Sequence, residues 1–118
     1  MVEYILTYLH NILDAINEVD SYFAGRPMIY EEFENNYMCR SAVERKIEIM
    51  GEAINRIFKI DPDFALPNGK DIVRTRNRVI HCYDGVTPDF LWLLIIKYIP
   101  NLKKDVIQMI AKYESINN

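Results

Sequence analysis

The stretch VERKIEIMGEAINRIF, residues 43–58, places its apolar side chains three and four positions apart, which is the spacing of one face of an α-helix. The apolar residues of that face are Val43, Ile47, Met50, Ile54, Ile57 and Phe58. Asp61-Pro62-Asp63 follows and ends the pattern, because proline cannot continue a helix. The stretch therefore predicts a long helix that buries one face against other helices.

The N-terminal part of the chain carries the same pattern and predicts an antiparallel partner for that helix. Its apolar positions are Val2, Ile5, Leu6, Leu9, Ile12, Leu13, Ile16, Val19 and Phe23. Gly25 and then Pro27 follow in the usual order of helix stop signals. A second helical region is expected from Tyr30, with an interruption near Asn35-Asn36 before the long helix continues.

After the long helix, residues 64–70 contain proline and glycine and are expected to form a loop, and residues 71–82 a short helix. No segment alternates apolar and polar residues as a half-buried strand does. The fold class predicted is all-α, an up-and-down bundle of four to five helices. At 118 residues the chain fits a single domain, residues 1–118.

The start of the last helix is indicated by Thr87-Pro88-Asp89, which supply an N-cap residue, a proline at the first helical position and an acid in the first turn. It is expected to run to about Tyr113 and to kink near Lys97, because Pro100 lies inside it. Residues 91–96 are apolar all round, whereas one bundle core covers only one face. We therefore expect the surplus face around Trp92 to be buried against a second subunit.

The composition is that of a soluble globular protein, with 50% apolar and 26% charged residues and a formal net charge of -3. The most apolar stretch, residues 90–96, is far shorter than the roughly 20 residues of a membrane span. The N-terminus lacks the basic region of a signal peptide, so the cytoplasm is the expected location. Cys39 and Cys82 stand far apart and are interpreted as reduced thiols, and no metal or cofactor is expected.

The functional candidate is the run RTRNRVIHCY, residues 74–83, where alternating arginines lead into one of only two histidines. Lys70 and the three arginines of the run, against Asp71 alone, give the segment a local charge of +3 on an acidic chain. Arginine matches phosphate oxygens with a planar fork, and histidine exchanges a proton near neutral pH. The run therefore indicates binding of a phosphate-containing polymer combined with proton transfer.

On a helix, Arg74, Arg78 and His81 share one face, whereas Arg76 lies about 140° away from His81 because each residue turns about 100°. Three arrangements could still bring Arg76 and His81 together. The arginine could reach around the helix, the chain could leave helical geometry near His81, or the two groups could come from different subunits of a homodimer.

Such a site could cleave RNA through its own 2′-hydroxyl, without a metal ion. Arg76 and His81 are the predicted catalytic residues: histidine moves the proton, and arginine stabilises charge on the phosphorus oxygens. Asn77 would orient His81 or a phosphate oxygen, and Tyr83 would donate a hydrogen bond or stack on a base. The residues predicted to bind phosphate are Lys70, Arg74 and Arg78.

Ordinary structural roles compete with these assignments. Arg74 and Arg78 could simply be solvated or ion-paired surface residues. His10, in the first helix, is interpreted as structural or surface. Arg45, Glu48 and Glu52 share a helix face and favour an intrahelical row of salt bridges, although their carboxylates could instead hold the arginines of the run.

The pattern Arg76-Asn77-x-x-x-His81-x-Tyr83 resembles the Arg-x4-His-x-Tyr signature of HepT-like proteins, ribonuclease toxins of the helical HEPN superfamily. The resemblance covers nearly the whole chain, in order and spacing. Its other segments are residues 30–33, 45–53 and 85–86, together with Trp92, Pro100 and Leu102.

This resemblance implies a homodimer with the cleft at its interface, metal-independent cleavage of RNA, and a toxin of a type II or type VII-like toxin–antitoxin system. The implied antitoxin is a minimal nucleotidyltransferase that can transfer AMP to the motif tyrosine, here Tyr83. Some helical relatives do not cleave RNA. The alternative function is therefore a non-catalytic subunit that presents a substrate or a modifiable tyrosine to a nucleotidyltransferase.

Overall fold

A computed structural model describes residues 1–81 and 86–117, without the side chains of residues 79–81 and 117. Every regular element within these ranges is helical, which confirms the all-α prediction. The elements are α1 (Val2–Tyr22), α2 (Tyr30–Glu34), α3 (Tyr37–Ile60), α4 (Gly69–His81), α5 (Pro88–Leu93), a π-helical turn (Leu94–Tyr98) and α6 (Ile99–Asn117).

Helix α3 lies at the centre of the bundle, with α1 and α4 packed along it and α6 packed on α1. Its predicted apolar face is the buried one: Val43, Ile47 and Met50 are fully inaccessible to solvent, whereas Phe58 is only partly buried. Leu9 and Ile12 of α1 are fully buried in the same core. Within the described ranges, no helix is both long and apolar enough to cross a membrane.

The predicted interruption before α3 is a helix cap. The side-chain oxygen of Asn36 accepts a hydrogen bond from the backbone N–H of Cys39 at 3.0 Å, which satisfies a donor that the first helical turn leaves free. Gly25, beyond the end of α1, has a positive φ of 72° that a side chain would strain. Cys39 is a free thiol whose pKa is raised, first because it is desolvated by burial.

The last helix differs from its prediction in form and length. Thr87 is the N-cap and Pro88 occupies the first turn, as predicted. Where a kink was predicted, near Lys97, the helix contains a π-helical turn, in which the N–H of Ile99 donates to the carbonyl of Leu94. The wider turn makes room for the ring of Pro100, which would otherwise crowd the preceding turn.

Two helix boundaries in the structure also differ from those predicted from the sequence. The last helix continues to Asn117 instead of ending at Tyr113, and α4 begins at Gly69, so the predicted loop of residues 64–70 is too long. Proline cannot occupy a helix interior without distortion, but glycine can begin a helix where its backbone packs closely on a neighbour.

Part of the cover over Trp92 is supplied within the chain, and burial of the surplus apolar face against a second subunit stays a prediction. The ring centroid of Trp92 lies 5.4 Å from that of Phe33, 5.9 Å from that of Tyr30 and 6.1 Å from that of Phe23. The short helix α2 therefore supplies this part of the cover. In residues 91–96, only Leu93 and Ile96 remain exposed, at 42% and 49%.

We predict that Trp92→Ala lowers the free energy of unfolding by about 3 kcal/mol, because it empties an aromatic cluster. Leu93→Ala, at an exposed neighbouring position, should cost no more than about 0.5 kcal/mol. Urea denaturation followed by circular dichroism measures both. Equal losses for the two variants would contradict the intrachain packing of Trp92.

Candidate functional site

Helices α3 and α4 approach each other most closely at glycine residues. A Cβ atom on Gly51 would lie 2.5 Å from Cβ of Arg76 and 2.8 Å from its Cγ, distances that real side chains do not tolerate. A Cβ on Gly69 would lie 3.0 Å from a methyl group of Ile54. The absence of a side chain at position 51 is therefore what lets Arg76 lie flat against α3.

The side chain of Arg76 packs against α3 at its Cβ and Cγ, and its guanidinium group contacts Asn77. Its Nε is buried and, within the part of the chain that the structure describes, has no hydrogen-bond partner. Its Nη1 donates to the side-chain oxygen of Asn77 at 3.0 Å. An unpaired buried donor costs about 1–3 kcal/mol, so the native state holds this arginine at the expense of stability. Asn77 contacts Arg76, whereas the sequence suggested His81 or a phosphate oxygen as its partner.

Arg74 and Arg78 lie on the opposite side of α4 from Arg76, since two helical steps turn a side chain by about 200°. Nη2 of Arg74 donates to Oδ1 of Asp71 at 2.5 Å, and the side chain of Arg74 is 72% exposed. The guanidinium carbon of Arg78 lies 5.3 Å from the centroid of the Phe90 ring. Phe90 belongs to α5, which together with the π-helical turn and α6 forms the last helix. This face of α4 therefore faces the last helix.

A groove of about 220 Å³ runs between α4 and the last helix. It is lined, among others, by Arg74, Arg78, Phe90, Leu93, Leu94 and Tyr98. Lys70 lies beside Arg74 in an adjoining hollow with Phe58 and Val73. The three residues predicted to bind phosphate therefore share one side of α4, and Arg76 lies on the other.

The backbone of His81 belongs to α4, so the helix does not end before the histidine. His81 is also the last residue of α4, so the arrangement in which the chain leaves helical geometry near the histidine stays open. Three helical steps from Arg78 and five from Arg76 place position 81 on the Arg78 side. Reach around the helix and a two-subunit site stay open as well. Cys82 and Tyr83 lie outside the described residues.

Glu48 and Glu52 pair within their own helix, α3, as the sequence favoured. Nη1 of Arg45 lies 3.0 Å from Oε2 of Glu48, and Nη2 of Arg56 lies 2.8 Å from Oε1 of Glu52. These carboxylates therefore have partners other than Arg76. His10 is a half-exposed surface residue, with Nε2 3.3 Å from Oε1 of Glu114.

Glu44 is a candidate that the sequence pattern did not single out. It is seven residues from Gly51, and two helical turns bring it back to the face of α3 that packs on α4. Its pKa is raised chiefly by desolvation, against the attraction of Arg40. A partly buried acid thus lies on α3, and its burial depends on tertiary packing.

Comparison with known proteins finds a matching family model and several relatives. Residues 12–109 match the family model described as "Ribonuclease HepT-like". A Methanocaldococcus jannaschii protein named "Putative RNase MJ1380" is 38% identical over 101 residues, covering 84% of this chain and 90% of the relative. A Thermococcus cleftensis protein named "Probable ribonuclease HepT" is 33% identical over 100 residues, covering 81% and 86%. No solved structure matches the chain.

The fold and the matched range define the class of protein, a helical ribonuclease of the HEPN type. The chain belongs to the HepT-like ribonuclease family. The resemblance stated from the motif is thereby confirmed, and RNA is the class of substrate that the family acts on. The roles of individual residues remain predictions.

We predict that Gly51→Ala lowers RNA cleavage by about 100-fold, because the added methyl displaces Arg76 by a fraction of an ångström or more. Overpacking should also cost about 1–3 kcal/mol of stability. Gly25→Ala is the control, since a Cβ there meets no atom within 4 Å and only strains the positive φ. The free energy of unfolding of this variant should fall by about 1 kcal/mol, and its RNA cleavage should be unchanged. Equal cleavage by both variants would contradict the positioning role of Gly51.

Proposed function

We propose that this chain is a metal-independent endoribonuclease in which Arg76 and His81 act on one phosphodiester of RNA. The observation that carries the proposal is the packing of Arg76 onto Gly51, which holds a motif arginine with its Nε buried and without a hydrogen-bond partner among the described residues. Proteins retain such a destabilising buried donor where a group must keep one geometry for binding or catalysis.

In the proposed reaction the ribose 2′-oxygen attacks the adjacent phosphorus, and the bond from phosphorus to the 5′-oxygen breaks. His81 accepts the 2′-hydroxyl proton while water protonates the leaving 5′-oxygen, or it protonates that oxygen while water takes the 2′-hydroxyl proton. Arg76 stabilises the negative charge that develops on the phosphorus oxygens. Asn77 supports Arg76 through its side-chain oxygen. The products are a 2′,3′-cyclic phosphate and a 5′-hydroxyl.

The site is proposed to be composite, with Arg76 and His81 contributed by different subunits of a homodimer. Arg76 lies against α3, whereas helical geometry turns position 81 toward the side of Arg78. A two-fold axis would bring the arginine of one copy to the histidine of the other, because an isologous interface places the same surface on both subunits.

Lys70, Arg74 and Arg78 are proposed to bind the phosphates that flank the cleaved bond. Arg78 is held over Phe90, which limits its motion, while Arg74 is exposed and paired only with Asp71 among the described side chains. Exchange of that surface ion pair for a phosphate would cost little, because exposed pairs contribute about 1 kcal/mol at most.

In the cell, the enzyme is proposed to act in the cytoplasm as the toxin of a type II or type VII-like toxin–antitoxin system. Its antitoxin would be a nucleotidyltransferase that transfers AMP to Tyr83. A bulky anion beside a run of arginines would occupy the site and neutralise its charge, which provides the physical basis for silencing.

The catalytic assignment is tested by incubating RNA with the purified protein in the presence of a chelator. Arg76→Ala and His81→Ala should each reduce cleavage by about 10²- to 10⁴-fold, the usual contribution of general acid–base and electrostatic catalysis. Lys104→Ala, at an exposed position of α6, should have no effect. Equal cleavage by His81→Ala and the wild type would contradict the proposal. No cleavage by an unmodified wild-type dimer would favour the non-catalytic partner subunit.

The composite site is tested by mixing two inactive proteins, Arg76→Ala and His81→Ala. If the two residues act across the interface, each mixed dimer regains one intact site, and equal mixing should restore about one quarter of wild-type activity. Intrasubunit catalysis leaves every site with one defect. A mixture as inactive as its components, after subunit exchange has been verified by mass spectrometry, would therefore contradict the composite site.

Modification is tested by incubating the protein with ATP and its neighbouring nucleotidyltransferase, followed by intact mass measurement. The wild type should gain one AMP and lose cleavage, whereas Tyr83→Phe should gain none and stay active in the same mixture. Transfer of AMP to Tyr83→Phe would assign the modification to another residue.

A further inference from the structure

The groove between α4 and the last helix combines arginine and aromatic side chains in a way that the cleavage chemistry does not require. Arg78 lies over the ring of Phe90, with its guanidinium carbon 5.3 Å from the ring centroid. Leu94 is fully buried at the base of the groove, and Leu93 is 42% exposed at its rim. Tyr98 lines the groove and lies 5.6 Å from Nζ of Lys97.

The charge around this groove favours an anion. Arg74 and Arg78 line it, Lys70 adjoins it beside Arg74, and Lys97 lies at its end beside Tyr98. The acid that lines it, Asp71, is already paired with Arg74. A chain with net charge -3 thus presents a basic strip here, and a strip of one sign raises the local concentration of a polyanion.

The size of the groove limits which part of an RNA chain can enter it. Its volume of about 220 Å³ is below the roughly 300–1,000 Å³ of pockets that enclose a whole small-molecule ligand. It therefore suits a single planar ring. An arginine fixed over an aromatic ring is itself a flat surface on which a nucleobase stacks, and its edge remains free to donate to phosphate.

A base can occupy such a groove only if it is unpaired. In an A-form duplex the bases are stacked on their neighbours, and the major groove is too deep and narrow for side chains to read. The groove also contains the π-helical turn, from Leu94 to Tyr98, and such turns occur frequently at functional sites.

We propose that this groove is a subsite for one unpaired base of single-stranded RNA, with the base stacked against Arg78 and Phe90 and the flanking phosphate bound by Arg74. The inference rests on the proposed RNA substrate and adds to it the requirement for a single strand. Phe90 and Tyr98 become binding residues that the Arg-x4-His-x-Tyr pattern does not include.

The experiment measures binding of a fluorescently labelled RNA of about 12 nucleotides, a length within the usual site sizes of single-strand-binding modules, by anisotropy. The protein is the full chain carrying His81→Ala, so that the probe stays intact. Phe90→Leu in this background should weaken single-strand binding by about tenfold, because stacking on one base contributes that much or more. The same RNA annealed to its complement should bind more weakly, and Phe90→Leu should not change its affinity.

Two matched controls separate the groove from general effects. Phe64→Leu makes the same change in the aromatic pair with Tyr113, whose ring centroid lies 5.4 Å away, and should leave binding unchanged. Lys97→Glu should weaken binding, whereas Lys112→Glu on an exposed part of α6 should weaken it much less.

Equal affinities of Phe90→Leu and Phe64→Leu, or tighter binding of the duplex, would overturn the inference. A change of sedimentation with Leu93→Glu that leaves RNA affinity unaltered would also overturn the inference, because the groove would then be covered by a second copy.

Cleavage of the same RNA by the protein without the His81 change is followed in parallel. Cleavage without dependence on Phe90 contradicts the subsite alone, and binding that depends on Phe90 without any cleavage contradicts the proposed catalysis alone.

Discussion

The contact between Gly51 of α3 and Arg76 of α4 is the constraint on which the rest of the site depends. A Cβ at position 51 would approach the Arg76 side chain to 2.5 Å, so the two helix backbones can be this close only where one residue has no side chain. Glycine inside a helix costs about 1 kcal/mol relative to alanine. The fold retains this destabilising glycine, together with an Arg76 Nε that is buried without a partner in the part of the chain that the structure describes, and the position of the arginine is set by packing.

Helix α4 consequently carries two chemically different faces. Its α3 side holds Arg76 in close contact with Gly51, whereas its opposite side presents Arg74 and Arg78 along a groove lined by the aromatic residues Phe90 and Tyr98. A rigid helix cannot turn both faces toward one phosphate. This geometry is the reason for the proposed composite site, in which one copy of the chain contributes Arg76 and another contributes His81. The face of α4 that carries Arg74 and Arg78 is proposed to bind RNA.

Much of the fold was predictable from local patterns. The apolar spacing of residues 43–58 predicted a buried helix, Asn36 marked its start, and Thr87-Pro88 marked the start of the last one. These signals are local, since they depend on the 3.6-residue period and on the backbone donors at helix ends. The cover over Trp92 was not predictable, because an apolar side chain does not specify the surface that buries it. Helix α2 provides it from a segment about 60 residues away, in a contact that no local pattern encodes.

The sequence by itself determined the helical class, the family signature and the candidate residues, because periodicity, caps and motif spacing are properties of neighbouring positions. It also determined, through helical geometry, that Arg76 and position 81 point in different directions. Only the tertiary structure decided that Gly51 makes room for Arg76, that Glu44 is partly buried, and that Phe90 faces Arg78. Each of these depends on how separate helices approach one another, and that distance is set by the packing of the whole core.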